Sequence, residues 1–386
     1  MNHTLTGRVV TPDGILDPGW IRVAGDRIDA VGPGEPDGPA QQGSATDLGG
    51  QWVLPGFFDM HVHGGGGASF TEGGAAQARQ AAGFHRAHGS TRIIASLVTA
   101  PLDELEQRTA MLADLADEGV IDGIHLEGPF LSRARCGAQD PRYLLDPDLA
   151  AFGRLLAAAR GQLRQITIAP ELPGAAELIR AAVGAGVVAA AGHTDATAEV
   201  TAAAVDAGVT HGTHVFNGMR PLDHRQPGPA GALLDRRVTC EVIADGTHLH
   251  DVTIRLAARA AGPGNLVLIT DAMGAAGMPD GSYRLGPQHV IVSGGVARLA
   301  DGAPGAGAIA GSTATMAHVV RHAITAAGLP VTDVAAAAST TPARVLGFAG
   351  RTGALRPGLA ADLVILDPDF RLTAVMARGS WVDGTL

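Results

Sequence analysis

Six side chains of the types that bind metals occur at the ends of apolar runs in the middle of the chain. They are His61, His63, Glu127, His193, His214 and Asp271. Four imidazoles and two carboxylates suit Zn²⁺, with Fe²⁺, Mn²⁺ or Co²⁺ as alternatives. Coordination lowers the pKa of water to about 7, which makes it a usable nucleophile. The pattern therefore predicts a hydrolase that uses a divalent ion, in which Asp271 accepts the proton of the water and returns it to the leaving nitrogen.

The runs in front of these residues predict β-strands that alternate with helices. Strand–helix alternation implies right-handed crossovers and a parallel sheet. Eight such units fit an α/β fold, a (β/α)8 TIM-like barrel, whose active site lies at the carboxyl ends of the strands. A doubly wound open sheet is the alternative, although no Gly-rich dinucleotide fingerprint follows the first strand. The predicted strands are 53–62, 91–98, 121–127, 165–170, 186–192, 209–215, 238–245 and 265–271, and the predicted helices include 75–87, 102–116, 175–184 and 196–207.

The two ends of the chain read differently from the middle. Short strands with Gly and Pro between them are predicted at 5–11, 20–24 and 27–31, and again at 362–366 and 373–382. We therefore expect a small β-sandwich domain formed from both termini. The expected division assigns 1–52 and 346–386 to this domain, and 53–345 to the barrel.

Composition narrows the class of protein. The chain has 386 residues, 46% of them hydrophobic, which allows a large core. The net charge of −10 comes without a basic stretch, so nucleic-acid binding is not expected, while one or two local arginines can still hold the phosphate of an anionic substrate. All 28 basic residues are arginine. This excludes a Schiff-base lysine, a P-loop lysine and a carboxylated lysine that bridges two metals.

Compartment is inferred from what the sequence lacks. Cys136 and Cys240 make no disulfide framework, and no apolar run is long enough to predict a membrane span. The first residues lack the charged and apolar regions of a signal peptide. We therefore expect a cytoplasmic protein without membrane or nucleic-acid partners.

Several further residues are expected to be structural. His85 and His88 lie in a predicted helix and are expected at the surface, and His211 is expected to point away from His214. Cys136, near the predicted pocket, is expected to be an inert loop thiol, with a reactive thiol as the alternative.

Longer motifs carry a family resemblance. Residues 53–64 (VLPGFFDMHVHG) resemble the first-strand signature of the amidohydrolase superfamily, and 358–364 (GLAADLV) resemble its return into the small β domain. Within the superfamily the chain resembles the N-acetylglucosamine-6-phosphate deacetylase family over nearly its whole length. The motifs that match are HLEGPF at 125–130, GHT at 192–194, THVFNGM at 213–219, DGTH at 245–248, TDA at 270–272 and AGS at 310–312.

The resemblance implies an activity and roles. The activity is removal of the N-acetyl group of N-acetylglucosamine-6-phosphate, giving glucosamine-6-phosphate and acetate. Glu127, His193 and His214 would bind the principal metal. His61 and His63 would add a second metal, which Glu127 bridges.

The resemblance also implies how substrate is held. His248 would hydrogen-bond the acetyl carbonyl, with Asp271 as acid and base. Asn217, the Gly218 backbone and Arg225 would hold the phosphate. Because related deacetylases form dimers, a homodimer is expected, in which a neighbouring subunit supplies phosphate contacts. The remaining implied residues are Ala138, Gln139, Ile309, Ala310 and Gly311 around the sugar, and His250 and Arg255 as contacts from the neighbour.

Two departures from the family pattern bear on substrate choice. Gln139 stands where the family commonly has His, which puts sugar stereochemistry in question. The loop 301–308 is lengthened and rich in Gly and Ala, which fits either a mobile lid or a tolerated insertion. The alternatives to the implied activity are therefore N-acetylgalactosamine-6-phosphate or another N-acyl or cyclic amide as substrate, and a non-catalytic relative.

Overall fold

In the computed structural model, residues 2–36, 44–303 and 305–382 are described. Within these ranges the chain forms 20 strands and ten α-helices. The strands are β1 Asn2–Thr11, β2 Gly14–Ala24, β3 Arg27–Pro33, β4 Ser44–Pro55, β5 Phe57–Val62, β6 Gly64–Gly65, β7 Ala68–Ser69, β8 Ser90–Val98, β9 Gly123–Glu127, β10 Leu163–Ile168, β11 Val188–Ala191, β12 His211–Gly212, β13 Thr239–Val242, β14 Leu266–Leu268, β15 Gly281–Leu285, β16 Gln288–Ser293, β17 Val296–Leu299, β18 Leu363–Leu366, β19 Leu372–Ala377 and β20 Ser380–Trp381. The helices are α1 Ala75–Ala87, α2 Leu102–Asp117, α3 Leu149–Ala159, α4 Ala175–Gly184, α5 Ala198–Ala207, α6 Gly228–Asp235, α7 Asp251–Ala261, α8 Met316–Thr325, α9 Val331–Ala335 and α10 Thr341–Val345.

Eight parallel strands form the wall of a barrel. Their order among the described residues is β5-β8-β9-β10-β11-β12-β13-β14, so each strand pairs with the next one along the chain. The ring is joined just beyond β14, where the N–H of Asp271 donates to the carbonyl of His61 at 2.9 Å and Val62 forms a parallel bridge with Ala272. The predicted (β/α)8 barrel is therefore confirmed, and the open doubly wound sheet is wrong.

Strands from both ends of the chain form a separate sheet. In the described residues its order is β20-β19-β18-β4-β1-β2-β3, and β1 pairs with β4 in parallel. β18 pairs antiparallel with β4, which places the C-terminal strands beside the N-terminal ones. Leu5, Ile21, Val53 and Leu363 form part of the buried cluster of this sheet. The predicted C-terminal strand 373–382 is divided into β19 and β20 by a turn.

The predicted single strand 53–62 is wrong, because the chain breaks it at Gly56. β4 ends at Pro55 in the small sheet and β5 begins at Phe57 in the barrel. A Cβ at position 56 would collide with the side chain of Thr91, so only glycine fits. The Gly56 N–H donates to the carbonyl of Asp362 at 2.8 Å, which ties the break to the small sheet. One apolar run therefore serves two sheets.

Helices pack between the strands largely where the sequence predicts them. The predicted bounds 75–87 and 175–184 are those of α1 and α4, and α2 extends one residue beyond 116. α5 begins two residues later than predicted, because the hydroxyl of Thr197 caps it by accepting from the Val200 N–H. Asp148 caps α3 in the same way, with its carboxylate accepting from two backbone N–H groups. No helix in the described ranges combines the length and apolar character needed to cross a membrane.

A three-stranded antiparallel sheet is inserted after the barrel. It consists of β15, β16 and β17 and follows β14 in the chain. Leu285, Val290 and Leu299 pack with Met273 and Ala310, so the insertion is fixed to the carboxyl end of the barrel. The sheet therefore builds one wall beside the strand ends.

Candidate active site and metal centre

A cavity of about 250 Å³ opens at the carboxyl ends of the barrel strands. Glu127 is the last residue of β9, and His63 follows β5 directly. His193, His214 and Asp271 each come within three residues of the end of their own strand. All five side chains line the cavity. The barrel thus brings together residues that are up to about 200 positions apart in the sequence, as expected for this face of the fold.

Three of these residues have left-handed backbone conformations. The φ angle is +46° at His193, +26° at His214 and +48° at Asp271. Such conformations cost on the order of 1–3 kcal/mol outside glycine and persist only where surrounding structure holds them. At Asp271 the backbone N–H and carbonyl are both engaged, with His61 and Ser312. The strain turns each side chain into the cavity at the point where strand alternation ends.

Glu127 forms one group with two histidines. Its Oε1 lies 2.9 Å from Nε2 of His193 and 2.8 Å from Nε2 of His214. The two Nε2 atoms are 3.1 Å apart. One carboxylate oxygen and two imidazole nitrogens at these separations form a set of three potential metal-ligand atoms around one point.

A second group shares the same carboxylate. Nε2 of His61 and Nε2 of His63 lie 3.1 Å apart, and Oε2 of Glu127 lies 3.2 Å from His63. Oδ1 of Asp271 is 3.4 Å from Nε2 of His61 and 3.2 Å from Nε2 of His63. Within the described residues, the two groups that could hold a metal are thus His61–His63–Glu127 and Glu127–His193–His214.

The outer nitrogens of the histidines fit a metal site. Nδ1 of His193 donates to the carbonyl of Arg135 at 3.0 Å, and Nδ1 of His63 donates to the carbonyl of Ser96 at 3.2 Å. A carbonyl oxygen can only accept a hydrogen bond, so Nδ1 carries the proton. Nε2 is then free of its proton and faces the other potential metal-ligand atoms. This arrangement is typical of metal-bound histidine. The donor set and its support therefore fit a divalent ion.

Without a metal, the neighbouring histidines and carboxylates of the centre shift one another's pKa values. Burial by itself would raise the pKa of Glu127, but the neighbouring His61 and His193 hold it well below its usual range. Burial would lower the pKa of His63, but Asp271 and Glu127 outweigh it and raise that pKa to about 9. Without a metal the centre therefore holds protons that an incoming cation must displace.

His248 lies at the mouth of the same cavity and is fixed by Asp245. Its Nδ1 is 2.8 Å from Oδ2 of Asp245, whose Oδ1 accepts from the His248 backbone N–H at 2.9 Å. Burial alone would lower the pKa of His248, but the bond to Asp245 and its charge raise it. When the ring is protonated on both nitrogens, it presents Nε2–H to the cavity as a donor.

Comparison with known proteins shows which family the chain belongs to. Residues 52–382 match the model of the amidohydrolase family. The chain belongs to the amidohydrolase family. This amidohydrolase is 35% identical over 393 residues to the N-acetylgalactosamine-6-phosphate deacetylase of Escherichia coli O157:H7, across 100% of this chain and 99% of that one. It is 34% identical over 385 residues to the N-acetylglucosamine-6-phosphate deacetylase of Bacillus subtilis (strain 168), across 96% and 94% of the two chains.

A solved structure is similar over the whole length. A mutant N-acetyl-D-glucosamine-6-phosphate deacetylase from Mycobacterium smegmatis, in complex with N-acetyl-D-glucosamine-6-phosphate, is 48% identical to this amidohydrolase. The TM-score is 0.94, with 99% of each chain covered.

Most residues predicted around the substrate lie at the cavity of this amidohydrolase. Gln139 is buried there and donates to Oε2 of Glu127. Ala310 is fully buried behind the wall, in the cluster of the inserted sheet. Those that line the cavity are Ala138, Gln139, Asn217, Gly218, His248, Ile309 and Gly311.

Three predicted phosphate contacts lie outside this cavity in their own chain. Arg225 is exposed on the loop before α6. His250 caps the N-terminus of α7. Arg255 lies within α7 and donates to the carbonyl of Ala327 at 3.2 Å.

The residues 301–308 lead back to the cavity at Ala308 and Ile309, and Pro304 lies outside the described residues.

A larger cleft of about 820 Å³ lies at the other end of the barrel. It runs past Pro55, the last residue of β4, and Leu266, the first residue of β14, and its charged lining includes Asp13, Arg255 and Arg259. No histidine, cysteine or glutamate side chain is among its described lining residues. Size alone would favour this cleft, but metal-ligand chemistry is concentrated in the smaller cavity, which we take as the active site.

Sequence reasoning missed Glu241 in the interior and misplaced His85. Glu241 is fully buried and accepts from Nδ1 of His61 at 3.0 Å. Its signal was a lone carboxylate inside an apolar strand. His211 is also buried, with Nε2 3.5 Å from Glu241. His85, expected at the surface, is fully buried and bonded to the carbonyl of Gly64 at 2.7 Å, because α1 packs this face against the turn after His63.

Proposed function

We propose that this amidohydrolase removes the N-acetyl group from N-acetylglucosamine-6-phosphate, giving glucosamine-6-phosphate and acetate. The observation that carries the proposal is the shared carboxylate of Glu127, which joins two groups of metal donors beside Asp271 and His248 in one cavity. The names of the relatives and the ligand in the similar solved structure favour the same substrate class.

The two groups around Glu127 would hold the metal. We assign the principal ion to Glu127, His193 and His214, and a second ion to His61, His63 and Glu127, with Asp271 as an additional ligand. Imidazole and carboxylate donors suit Zn²⁺ first, with Fe²⁺, Mn²⁺ and Co²⁺ as alternatives. When bound, a divalent ion lowers the pKa of a water molecule and polarises the amide carbonyl.

Asp271 moves the proton. Burial would raise its pKa, but His61 and His63 lower it, so the carboxylate is ionised at neutral pH and can act as a base. It takes the proton of the attacking water and delivers it to the amide nitrogen as the C–N bond breaks. Water and the acetamide thus become acetate and an amine. His248, held by Asp245, donates to the carbonyl oxygen as negative charge develops there.

The sugar phosphate is oriented by the rest of the cavity. Asn217 and the Gly218 backbone hold the phosphate, and Ala138, Ile309 and Gly311 contact the sugar. Because Arg225 is exposed and outside the cavity of its own chain, we assign its phosphate contact to a homodimer, in which it serves the partner. His250 and Arg255 are further candidates for contacts between subunits.

We also propose a domain division and a compartment. The expected division is 1–52 and 346–386 for the small domain and 53–345 for the barrel; because β4 continues to Pro55 in the small sheet, we move the first boundary to the break at Gly56. We assign the protein to the cytoplasm, because a charged sugar phosphate does not cross a bilayer unaided and is encountered where it is made.

Acetate release tests the function. Metal-loaded protein is assayed with N-acetylglucosamine-6-phosphate, unphosphorylated N-acetylglucosamine and the galacto epimer, with metal content measured on the same preparation. Fast release that requires the phosphate supports the proposal. No release from a metal-loaded protein with any sugar phosphate overturns it.

The galacto epimer is a second candidate for a specific reason. A relative that matches 100% of this chain is named as an N-acetylgalactosamine-6-phosphate deacetylase. Gln139 also departs from the family's usual His in the sugar pocket. A kcat/KM for the galacto epimer that exceeds the gluco value would transfer the assignment to it.

Mixing two inactive variants tests the homodimer. Asp271→Ala chains lack the acid/base, and Arg225→Ala chains lack the phosphate contact. If Arg225 acts across the interface, a mixed dimer contains one intact site and activity returns on mixing. Activity that stays absent after subunit exchange places Arg225 in the site of its own chain, and full activity of Arg225→Ala alone places it outside substrate binding.

A further inference from the structure

A carboxylate lies inside the barrel below the metal centre. Glu241 is in β13, and its side chain is fully buried. Cys240 and Val242 on either side belong to the clusters that pack outward against the helices. Strand alternation therefore points Glu241 into the barrel. A buried carboxylate costs several kcal/mol unless donors surround it, so its partners reveal what it is for.

Both oxygens of Glu241 are engaged. Oε2 accepts from Nδ1 of His61 at 3.0 Å and from the backbone N–H of His214 at 3.1 Å. Oε1 accepts from the amide of Gln165 at 2.8 Å and lies 3.5 Å from Nε2 of His211. A single oxygen therefore contacts one residue from each of the two metal groups.

We propose that Glu241 is a positioning residue that fixes the tautomer and orientation of His61 and so enables the His61–His63 half of the centre to hold a second metal. A carboxylate can only accept, so Nδ1 of His61 carries the proton and Nε2 is left as the ligand atom. The inference rests on the metal centre of the proposed function and does not depend on its substrate.

Loss of the Glu241 carboxylate should affect the His61–His63 half of the metal centre and not the other half. His63 is oriented by the carbonyl of Ser96, and His193 by the carbonyl of Arg135, both without Glu241. His214 meets Glu241 only through its backbone N–H, and its neighbour Val215 is held separately by the Glu241 carbonyl at 2.9 Å. His61, by contrast, has Glu241 as the partner of its outer nitrogen. Loss of the carboxylate therefore releases His61 first.

The experiment titrates metal-free protein with Co²⁺ and follows stoichiometry by absorbance and calorimetry. Glu241→Gln keeps the shape but can turn an N–H toward His61. We expect the second Co²⁺ to bind about 10–100-fold more weakly, with the first changed by less than about threefold, since outer-sphere partners of ligands typically contribute 10–100-fold. Excess Co²⁺ should then restore the two-metal state.

Two further variants identify the half that changes. His63→Ala removes a ligand of the second group and leaves the Glu127–His193–His214 half; adding Glu241→Gln to it should not alter that remaining ion. Gln165→Met is the matched control, because it contacts the other oxygen of Glu241 in the same buried layer and leaves His61 in place. We expect Gln165→Met to keep both Co²⁺ affinities.

A measurement on the unaltered chain covers the case in which Glu241→Gln fails to fold. Nitrogen-15 spectra of Zn²⁺-saturated, histidine-labelled protein, assigned with His61→Asn, report which ring nitrogen of His61 carries the proton. A protonated Nδ1 supports the proposal, and a protonated Nε2 overturns it. Unchanged Co²⁺ binding in Glu241→Gln, or equal weakening of both ions, also overturns it. These readouts need no substrate, so absent acetate release would count only against the deacetylase activity.

Discussion

The side-chain amide of Gln139 donates to Oε2 of Glu127 at 2.7 Å, while its carbonyl accepts from the backbone N–H of Thr99 at 2.7 Å. Both polar ends of Gln139 are thus occupied by the protein. The residue that departs from the family pattern is therefore bonded to the shared metal ligand. Its first role in this chain is to hold Glu127, and a sugar hydroxyl must compete for it.

Gln139→Met removes both of these bonds. The Thr99 N–H is then left unpaired in a buried site, and Oε2 of Glu127 loses one donor while keeping its contact with His63, which costs about 1–3 kcal/mol in total. We expect the free energy of unfolding of the metal-free protein to fall by that amount in urea titrations. Gln107→Met, on the exposed face of α2, should change it by less than about 0.5 kcal/mol. Equal values for the two variants would contradict the contact.

Asp271→Asn removes the acid and base without changing the size of the side chain. Loss of a positioned proton carrier typically lowers rate by about 10²–10⁴-fold, so we expect kcat for deacetylation to fall within that range. The four histidines and Glu127 remain, and metal content should stay close to that of the unaltered protein. Asp26→Asn, in an exposed turn of the small sheet, should keep full activity. A kcat that survives in Asp271→Asn would assign the proton transfer elsewhere.

Asp245→Asn changes the pH dependence. The carboxylate raises the pKa of His248, which keeps Nε2–H available as a donor below that pKa and loses it as pH rises through it. Without the negative charge, the pKa of His248 falls. We therefore expect the alkaline limb of the profile of kcat against pH to move to lower pH.

A matched substitution separates charge from packing at this position. Asp245→Glu keeps the negative charge, so its alkaline limb should lie closer to that of the unaltered protein than that of Asp245→Asn. Identical profiles for all three proteins would show that His248 does not titrate in the step that limits the rate.

Metal affinity should rise with pH. In the metal-free chain the pKa of His63 is raised to about 9, so below that pH a proton occupies a ligand nitrogen. The ion must displace it, and each displaced proton contributes up to about tenfold in apparent affinity per pH unit. We expect Zn²⁺ to bind more tightly at pH 8 than at pH 6. Calorimetry in buffers of different ionisation enthalpy measures the protons released, and zero release would contradict the predicted charge state.

His85 should make the fold sensitive to acid. Burial lowers its pKa to about 4, from 6.5 when exposed. Between these values the unfolded chain binds a proton that the folded chain does not, so stability falls as pH drops, by up to about 3 kcal/mol. We expect His85→Gln to flatten the dependence of unfolding free energy on pH in this window. Gln77→Ala, on the same helix, changes no titrating group and should keep the original slope.

The residues at the strand ends could be predicted from the sequence because each potential metal ligand follows its own apolar run. His193 and His214 are each preceded by a short β-strand, and the barrel's symmetry then requires them to converge. Helix bounds such as 75–87 follow from local periodicity alone. These features depend on residues close together in the chain, which is why pattern reading recovers them.

Contacts across the barrel interior were not predictable in the same way. Glu241 and His61 are 180 positions apart, and their meeting depends on the register of every strand between them. The break at Gly56 depends on the closeness of Thr91, and the burial of His85 on how α1 packs. Arg225 shows the remaining limit, since a motif marks it for a phosphate but a single chain leaves it outside the cavity.

The pairing of β18 with β4 has a consequence for synthesis on the ribosome. β4 ends at Pro55 and its antiparallel neighbour begins at Leu363. At about 5–20 residues per second, roughly 15–60 s separate the emergence of the two strands. During that interval β4 has a bare edge, the kind of surface to which other chains add strands. The edge of β4 therefore makes the nascent chain more prone to aggregation until its last strands appear.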